Sequence, residues 1–363
     1  SIAAIKDAIT KSTAERTSPE VISAAYAVVY LIGGVLLASA RLLGAAGPFG
    51  MAAVAASGAG LNGVAALIGA AIGYIISCGL AGSIRYLAAI VLVYTISFAF
   101  QDTKLASKSV FAPATAAVSA LSTGILSSFT SVFTQAPAAA VVLIETVFSF
   151  GGCWFFREAM SGRERTTESE ELRYAGSVLI TAAVLLMAVS QIEIFGAISL
   201  GRLVAVLIVM TCTLRCGIMT GCTIGTAFGI AMDLTAGGMP FYTMAYAFAG
   251  LLSGMFNRHG RLLFLLSFII ANAAAVACAW AFRQETGALF EVFAASVIFL
   301  LLPSGFLSRA GSMVQLVIGG SGESGLRRYV ARKVMSLSDA YGSLYDIVRR
   351  NVEEQYNDAD PAK

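Results

Sequence analysis

Apolar residues gather in twelve runs along the chain, at about 21–40, 48–60, 62–80, 84–100, 110–130, 136–156, 174–191, 197–213, 216–233, 240–256, 261–282 and 288–307. Short polar turns separate them. Most runs approach the roughly 20 residues that carry a helix across a hydrocarbon core. In lipid the backbone must satisfy its own polar groups, and a helix does so within one segment. The pattern therefore predicts an all-α fold, a polytopic transmembrane helical bundle over 21–307 preceded by a cytoplasmic segment over 1–20. The run 48–60 is short for a span. Either it crosses together with 62–80, giving twelve spans, or the two form a re-entrant pair beside about ten; ten plus the pair is the favoured reading.

The stretch from Asp233 to Arg261 sets the orientation. Asp233 closes one apolar run, Gly237, Gly238 and Pro240 break the helix, and the next run ends on the basic turn Arg258-His259-Gly260-Arg261. Cytoplasmic loops carry the excess of Lys and Arg. The loop 157–173 holds Arg157, Arg163, Arg165 and Arg173 among its glutamates, so it reads as cytoplasmic. Counting spans from it puts the Lys104/Lys108 loop, the 258–261 turn and both termini on the same side. The Asp233–Pro240 turn falls on the other side and has no Lys or Arg. Pro48 and Pro240 each stand near a first helical turn, where the missing N–H costs nothing. The short likeness of Gly47-Pro48-Phe49-Gly50-Met51-Ala52 to Met239-Pro240-Phe241-Tyr242-Thr243-Met244-Ala245 suggests an internal duplication.

Beyond 307 the pattern changes. Residues 308–325, with Gly319, Gly320, Gly322 and Gly325, read as a flexible Gly/Ser-rich linker. Over 326–363 a cytoplasmic helix is expected, as the start of a regulatory and oligomerisation region. Its residues Val334, Leu337, Tyr341, Leu344 and Val348 recur at heptad spacing, which suits a partner helix. A chain that leaves the membrane and starts such a helix is expected to be the front of something longer. Arg327, Arg328, Arg332 and Lys333 adjoin the membrane exit and are expected to touch anionic lipid headgroups, the alternative being a solvated helix face.

Of 363 residues, 58% are hydrophobic and 12% charged, where a soluble domain has about 45–50% and about 25%. Against that background an intramembrane acid stands out, because such groups usually pair or line a path. Glu145 lies deepest in a run. Asp233, Glu193 and Glu291 sit near run ends, and Arg215 lies between two runs. Glu145 reads either as an ion or proton site or as a buried carboxyl group, bonded to Ser or Thr neighbours or protonated. Cys212 and Cys216 share a helix face, but Cys222 falls on another and the single His, His259, lies in the basic turn. Zinc takes four ligands, so apolar packing is the expected role of these cysteines. Gly320-x-Gly322-x-x-Gly325 spells a dinucleotide-binding motif without the strand that motif requires, and reads as linker. The sequence carries no HExxH, P-loop or nucleophilic triad pattern. The chain as given is not expected to be an enzyme, to hold a cofactor or metal, or to bind nucleic acid.

Gly47-Pro48-Phe49-Gly50 after the first span, and the run Met239-Pro240-Phe241-Tyr242-Thr243-Met244-Ala245-Tyr246-Ala247-Phe248-Ala249-Gly250-Leu251-Leu252-Ser253-Gly254-Met255-Phe256, resemble the amino-terminal membrane region of the stage II sporulation protein E family. The resemblance covers about 20–320. It implies a three-part protein: about ten spans, a central oligomerising region, and a carboxy-terminal serine/threonine phosphatase of the PP2C type. That phosphatase would act on a phosphorylated anti-anti-sigma factor and so activate the first forespore sigma factor. The sequence departs from the family in lacking the phosphatase with its manganese or magnesium site, so no catalytic residue carries over. The resemblance implies a membrane anchor that localises to the polar septum in sporulation, self-associates, and meets membrane lipids and bacterial division proteins. A second reading comes from the residues alone: Gly/Pro-broken helices and a buried acid also suit a secondary transporter.

Overall fold

The computed structural model describes residues 19–318 apart from 45, 128, 130–135, 162–166, 195–197, 238–239 and 280–286. The heptad residues Val334, Leu337, Tyr341, Leu344 and Val348, the basic residues Arg327, Arg328, Arg332 and Lys333, and the Gly320–Gly325 motif lie outside the described residues, as do residues 1–18. Within them the fold is all-α. The helices are α1 (Pro19–Ser39), α2 (Pro48–Ser57), α3 (Leu61–Ala99), α4 (Phe111–Ser127), α5 (Ala136–Met160), α6 (Glu168–Val189), α7 (Leu200–Cys216), α8 (Ile218–Ala236), α9 (Phe241–Met255), α10 (Arg261–Ala279), α11 (Gly287–Leu301) and α12 (Ser304–Ile318). The only strands among the described residues, β1 (Glu193–Ile194) and β2 (Ile198–Ser199), form a two-residue antiparallel pair between α6 and α7.

α3 is not one rod. Straight, its 39 residues would reach about 58 Å, nearly twice a hydrocarbon core. Gly79 interrupts it with φ 69° and ψ 169°, a conformation essentially confined to glycine. The chain folds back there. Tyr74 and Tyr86, which would stand roughly 18 Å apart along a continuous helix, stack with ring centroids 4.6 Å apart. Near the far ends the Tyr94 hydroxyl donates to the Ala59 carbonyl at 3.1 Å. The arms 61–78 and 80–99 are thus antiparallel neighbours, as the separate runs 62–80 and 84–100 predict. Gly217, with φ 91° and ψ −177°, turns α7 into α8 in the same way.

Among the described residues, five helices are long and apolar enough to cross a membrane: α3, 138–160 of α5, 169–189 of α6, α8 and α10. α11 and the first part of α12 make a sixth if that pair, bent by 106°, is taken as one span. This count takes α3 as one helix; with its two arms counted separately it still falls short of the ten spans expected. Glycine and proline end the helices early, so that α2, α9 and α11 have only 10, 15 and 15 residues. α2 is enclosed by α1, α3, α4 and α5, and its residues from Pro48 to Ala55 are all buried. Apolar side chains on α1, α3, α8, α9, α10 and α11 face outward, among them Val29, Ile76, Met219, Met255, Leu262 and Leu301. Exposure of that kind belongs to a surface solvated by lipid, where packing inside must come from close fit rather than from water exclusion.

Glycine supplies that fit. Gly225 and Gly229 of α8 lie on the backbone of Tyr246, Tyr242 and Thr243 of α9, and Gly250 and Gly254 of α9 lie on Gly221 and Ile218 of α8. Spacing of four residues keeps each set on one face. Gly34 of α1 and Gly69 and Gly73 of α3 form a second seam of this type. The expected linker over 308–325 requires a correction. Residues 308–318 belong to α12, because Leu307, Ala310 and Val314 recur at helical spacing between the serines that suggest a linker.

A methyl group at Gly225 would come within 2.6 Å of the Tyr246 carbonyl, whereas one at Gly176 meets nothing within 4 Å. Gly225→Ala is expected to destabilise the protein by roughly 1–3 kcal/mol, and Gly176→Ala to leave it unchanged or slightly more stable. Thermal unfolding followed with a maleimide dye, through the buried Cys153 and Cys212, measures both. Equal midpoints for the two variants would contradict the close α8–α9 contact.

Candidate functional site: carboxylates at helix N-termini

Glu145, Asp233 and Glu291 are all buried, and each accepts a backbone N–H at the N-terminal end of a helix. Such an end presents unpaired N–H groups and the positive pole of the helix dipole. A carboxylate placed there supplies the acceptor that water would supply outside the membrane.

Glu145 reaches from α5 to the start of α2. Its Oε1 accepts from the Gly47 N–H at 3.3 Å, from the Tyr86 hydroxyl at 2.6 Å and from Arg85 Nη2 at 2.6 Å. Arg85 also donates to the Tyr86 hydroxyl at 2.6 Å, and its guanidinium lies 4.5 Å from the Tyr86 ring centroid. Tyr74, stacked on Tyr86, donates to the Gly47 carbonyl at 2.5 Å and accepts from the Met51 N–H at 3.2 Å. Gly50 leaves room for that ring: a side chain there would stand 2.6 Å from it. Ser149, one helical turn beyond Glu145, donates to the Pro48 carbonyl at 3.2 Å. The fold-back at Gly79 is what brings Tyr74 and the Arg85–Tyr86 pair to the same helix end.

Asp233 closes α8 and caps α9 across the turn. Its Oδ1 accepts from the Tyr242 N–H at 2.8 Å, and its Oδ2 from the Thr243 N–H at 2.8 Å and the Thr243 hydroxyl at 2.5 Å. Its neighbour Leu234 accepts at its carbonyl from the Leu43 N–H at 2.7 Å, which ties this turn to the loop before α2. Glu291, at the start of α11, accepts from the Ser199 N–H at 3.0 Å and from Arg202 Nη1 at 3.3 Å. Ser199 is the N-cap of α7. Arg202 lies 5.0 Å from the Tyr242 ring centroid, and Tyr242 packs 5.8 Å from Tyr246. The Tyr246 hydroxyl is buried and has no hydrogen-bond partner among the described residues.

The three acids thus share one role, and the expected Ser or Thr partners of Glu145 are replaced by an arginine, a tyrosine and a backbone amide. No sequence pattern singles out Arg85 or Arg202. Each stands near the beginning of an apolar run, at 84–100 and 197–213, and that position is the available signal. The two Arg–Glu–Tyr groups do not map onto one another in chain order: Arg85 follows its proline motif, whereas Arg202 precedes Pro240. The other residues are dispersed. Glu193 is exposed in β1. Arg215 is exposed and donates to the Ser304 carbonyl at 3.3 Å, and His259 is exposed beside Phe256. Cys212 is buried, while Cys216 and Cys222 are half-buried. Among the described residues no group of three or more His, Cys, Asp or Glu could hold a metal ion.

Removing one member of a buried ion pair leaves the other uncompensated, at about 3–5 kcal/mol. Arg85 and Glu145 are 20% and 1% exposed, so Glu145→Ala and Arg85→Ala are both expected to lower stability strongly, Arg85→Ala by less because water reaches it. Arg85→Met combined with Glu145→Leu should recover a large part of the loss. A double-mutant cycle in detergent unfolding measures the coupling, and strict additivity would contradict a direct pair. At Asp233, both oxygens take donors. Asp233→Asn would set an amide N–H against the Thr243 N–H, so Asn is expected to lose about 2 kcal/mol, nearly as much as Ala. A neutral Asp233→Asn in the same unfolding assay would overturn the assignment of both oxygens as acceptors.

No family model matches the chain, and no curated protein or solved structure matches it, so the chemistry of these residues is what bears on function.

Proposed function

We propose that the chain is the membrane anchor and assembly module of a larger sporulation protein, whose further part is a PP2C-type serine/threonine phosphatase acting on a phosphorylated anti-anti-sigma factor. One observation carries the choice of anchor over transporter. In transporters with broken helices, half-helix N-termini point toward the anionic groups of the substrate. Here the corresponding ends of α2, α7 and α9 are filled by the protein's own Glu145, Glu291 and Asp233. Built-in carboxylates fasten such helices to one another, which suits a static membrane platform.

The resemblance to the stage II sporulation protein E family adds to this reading, because its motif residues are those on which the packing rests. Gly47 and Gly50 seat Tyr74 and Glu145, and Gly250 and Gly254 make the α8–α9 seam. The phosphatase, its manganese or magnesium, the polar septum, self-association and contacts with division proteins rest on that resemblance. On this reading about ten spans plus the re-entrant pair α2 and 61–78 thread the membrane, with both termini cytoplasmic. The Lys and Arg placement at 104–108, 157–173 and 258–261 supports the orientation.

A fluorescent fusion of the chain is expected to gather at the polar septum of a sporulating, endospore-forming host. Leu337→Asp combined with Leu344→Asp, which breaks the heptad stripe, should disperse it and reduce its oligomers in detergent, with the membrane fraction unchanged. Full assembly and septal placement of the double variant would falsify the assembly role. Solute uptake by proteoliposomes that is abolished in Glu145→Gln would instead establish the transporter.

A further inference from the structure

α12 leaves α11 at a bend of 106°. Given that bend, a helix following a span runs along the membrane surface rather than through it. Two arginines from other helices hold the bend: Arg261 of α10 donates to the Leu302 carbonyl at 3.3 Å, and Arg215 of α7 donates to the Ser304 carbonyl at 3.3 Å. Further along, Gly311 packs against the Arg215 stem, where a side chain would come within 2.8 Å, and accepts from Cys216 Sγ at 3.9 Å. α12 is therefore docked across the end of α7, at the end of the bundle where the α9–α10 turn also lies.

Its two faces differ. Leu307 is fully buried against the bundle, whereas Phe306 is 58% exposed. Ser304, Ser308 and Ser312 are exposed and recur every four residues, which puts them on one side. Arg309 is exposed and stands one turn from Phe306, so its stem borders the apolar face while its head reaches beyond it. Arg258 is exposed in the neighbouring turn. The described residues of 200–318 include only two acids, Asp233 and Glu291, and both are held at the opposite helix ends. This end of α7 to α12 is left cationic.

We infer that α12 is an interfacial helix that lies in the membrane surface on the basic side of the bundle, with Phe306 among the acyl chains and Arg309 and Arg258 at the phosphates of anionic phospholipids. Amphipathic helices with an apolar edge and basic flanks take this position, held by both buried apolar area and headgroup charge. The occupant is a phospholipid rather than free phosphate, because the aromatic Phe306 and the arginine are offered together. This surface precedes the basic residues expected at 327–333 and depends only on the membrane reading, not on any role in sporulation.

The test uses Phe306→Trp in the full chain, reconstituted in vesicles containing brominated phosphatidylglycerol or brominated phosphatidylcholine. Emission of the unsubstituted chain, which has two tryptophans, is subtracted. The new signal is expected to be blue-shifted and quenched by bromine, with phosphatidylglycerol favoured over phosphatidylcholine by about fivefold for each arginine at the headgroups. Arg309→Gln should lower the preference, and Arg309→Gln combined with Arg258→Gln should bring it close to unity while the quenching persists. A water-like, unquenched emission overturns the proposal, as does equal quenching by the two lipids in the unsubstituted-Arg309 background. The substitution at Phe306 is on an exposed face, so folding can be checked separately by the unfolding midpoint.

Discussion

A carboxylate inside a membrane protein must find donors within the protein, because an isolated charge in low dielectric costs far more than any single contact returns. A helix that stops short inside the bundle has the complementary difficulty, an end of N–H groups with no acceptor. Each problem resolves the other here. Glu145 terminates the orphaned end of α2, Asp233 that of α9, and Glu291 that of α7. Arg85 and Arg202 then balance the charge that the amides alone would leave. The short helices α2 and α9 depend on this. Without Asp233 the first N–H groups of α9 would lose their acceptors, and without Glu145 the start of α2 would keep only the Tyr86 and Tyr74 hydroxyls, at Gly47 and Met51.

The arrangement also explains why the chain is so rich in glycine. A carboxylate side chain reaches only a few ångströms, so a capped end must lie close to the helix that supplies the acid. Gly50 lets the Tyr74 ring lie on α2, and Gly225 and Gly229 let α9 approach α8 until the Asp233 carboxylate spans the turn. Close approach through small residues and polar contacts across helices are the two attractions that remain when lipid solvates the outer surface as well as leucine does. In this bundle they act on the same helices. The fold-back at Gly79 belongs to the same scheme, since only with the arms of α3 antiparallel do Tyr74 and Tyr86 meet at one helix end.

Much of this is legible in the sequence, and the divisions fall along physical lines. The apolar runs, ended by glycine and proline, locate the helices. They even separate the two arms of α3, because a turn needs Gly79 whichever way the chain then goes. Glu145 is readable as anomalous, since an acid within a run is costly wherever it lies. Its partner is not readable. Arg85 is 60 residues distant, and an arginine at the edge of a run has the same appearance whether it faces headgroups or a buried acid. Asp233 and Glu291 are ambiguous for the same reason. Hydropathy overestimates span length because it counts apolar residues in turns as well as in helices. α12 resembles a linker in sequence because serine and glycine dominate its exposed side, while its apolar residues are too few to form a run.

The charge distribution links the two ends of the second half of the chain. At one end, acids are consumed in fastening helix N-termini; at the other, Arg215 and Arg261 hold the carbonyls around the α11–α12 bend. At Leu302, arginine suits the place because the C-terminal end of α11 presents unpaired carbonyls and a negative dipole end. Both ends of α7 therefore carry polar fastenings, Ser199 to Glu291 at the first and Arg215 to Ser304 at the second. A helix pinned at both ends transmits displacement rather than absorbing it. Movement imposed on α12 at the membrane surface would act on α7 through Arg215, and through α7 on the Glu291–Arg202 pair.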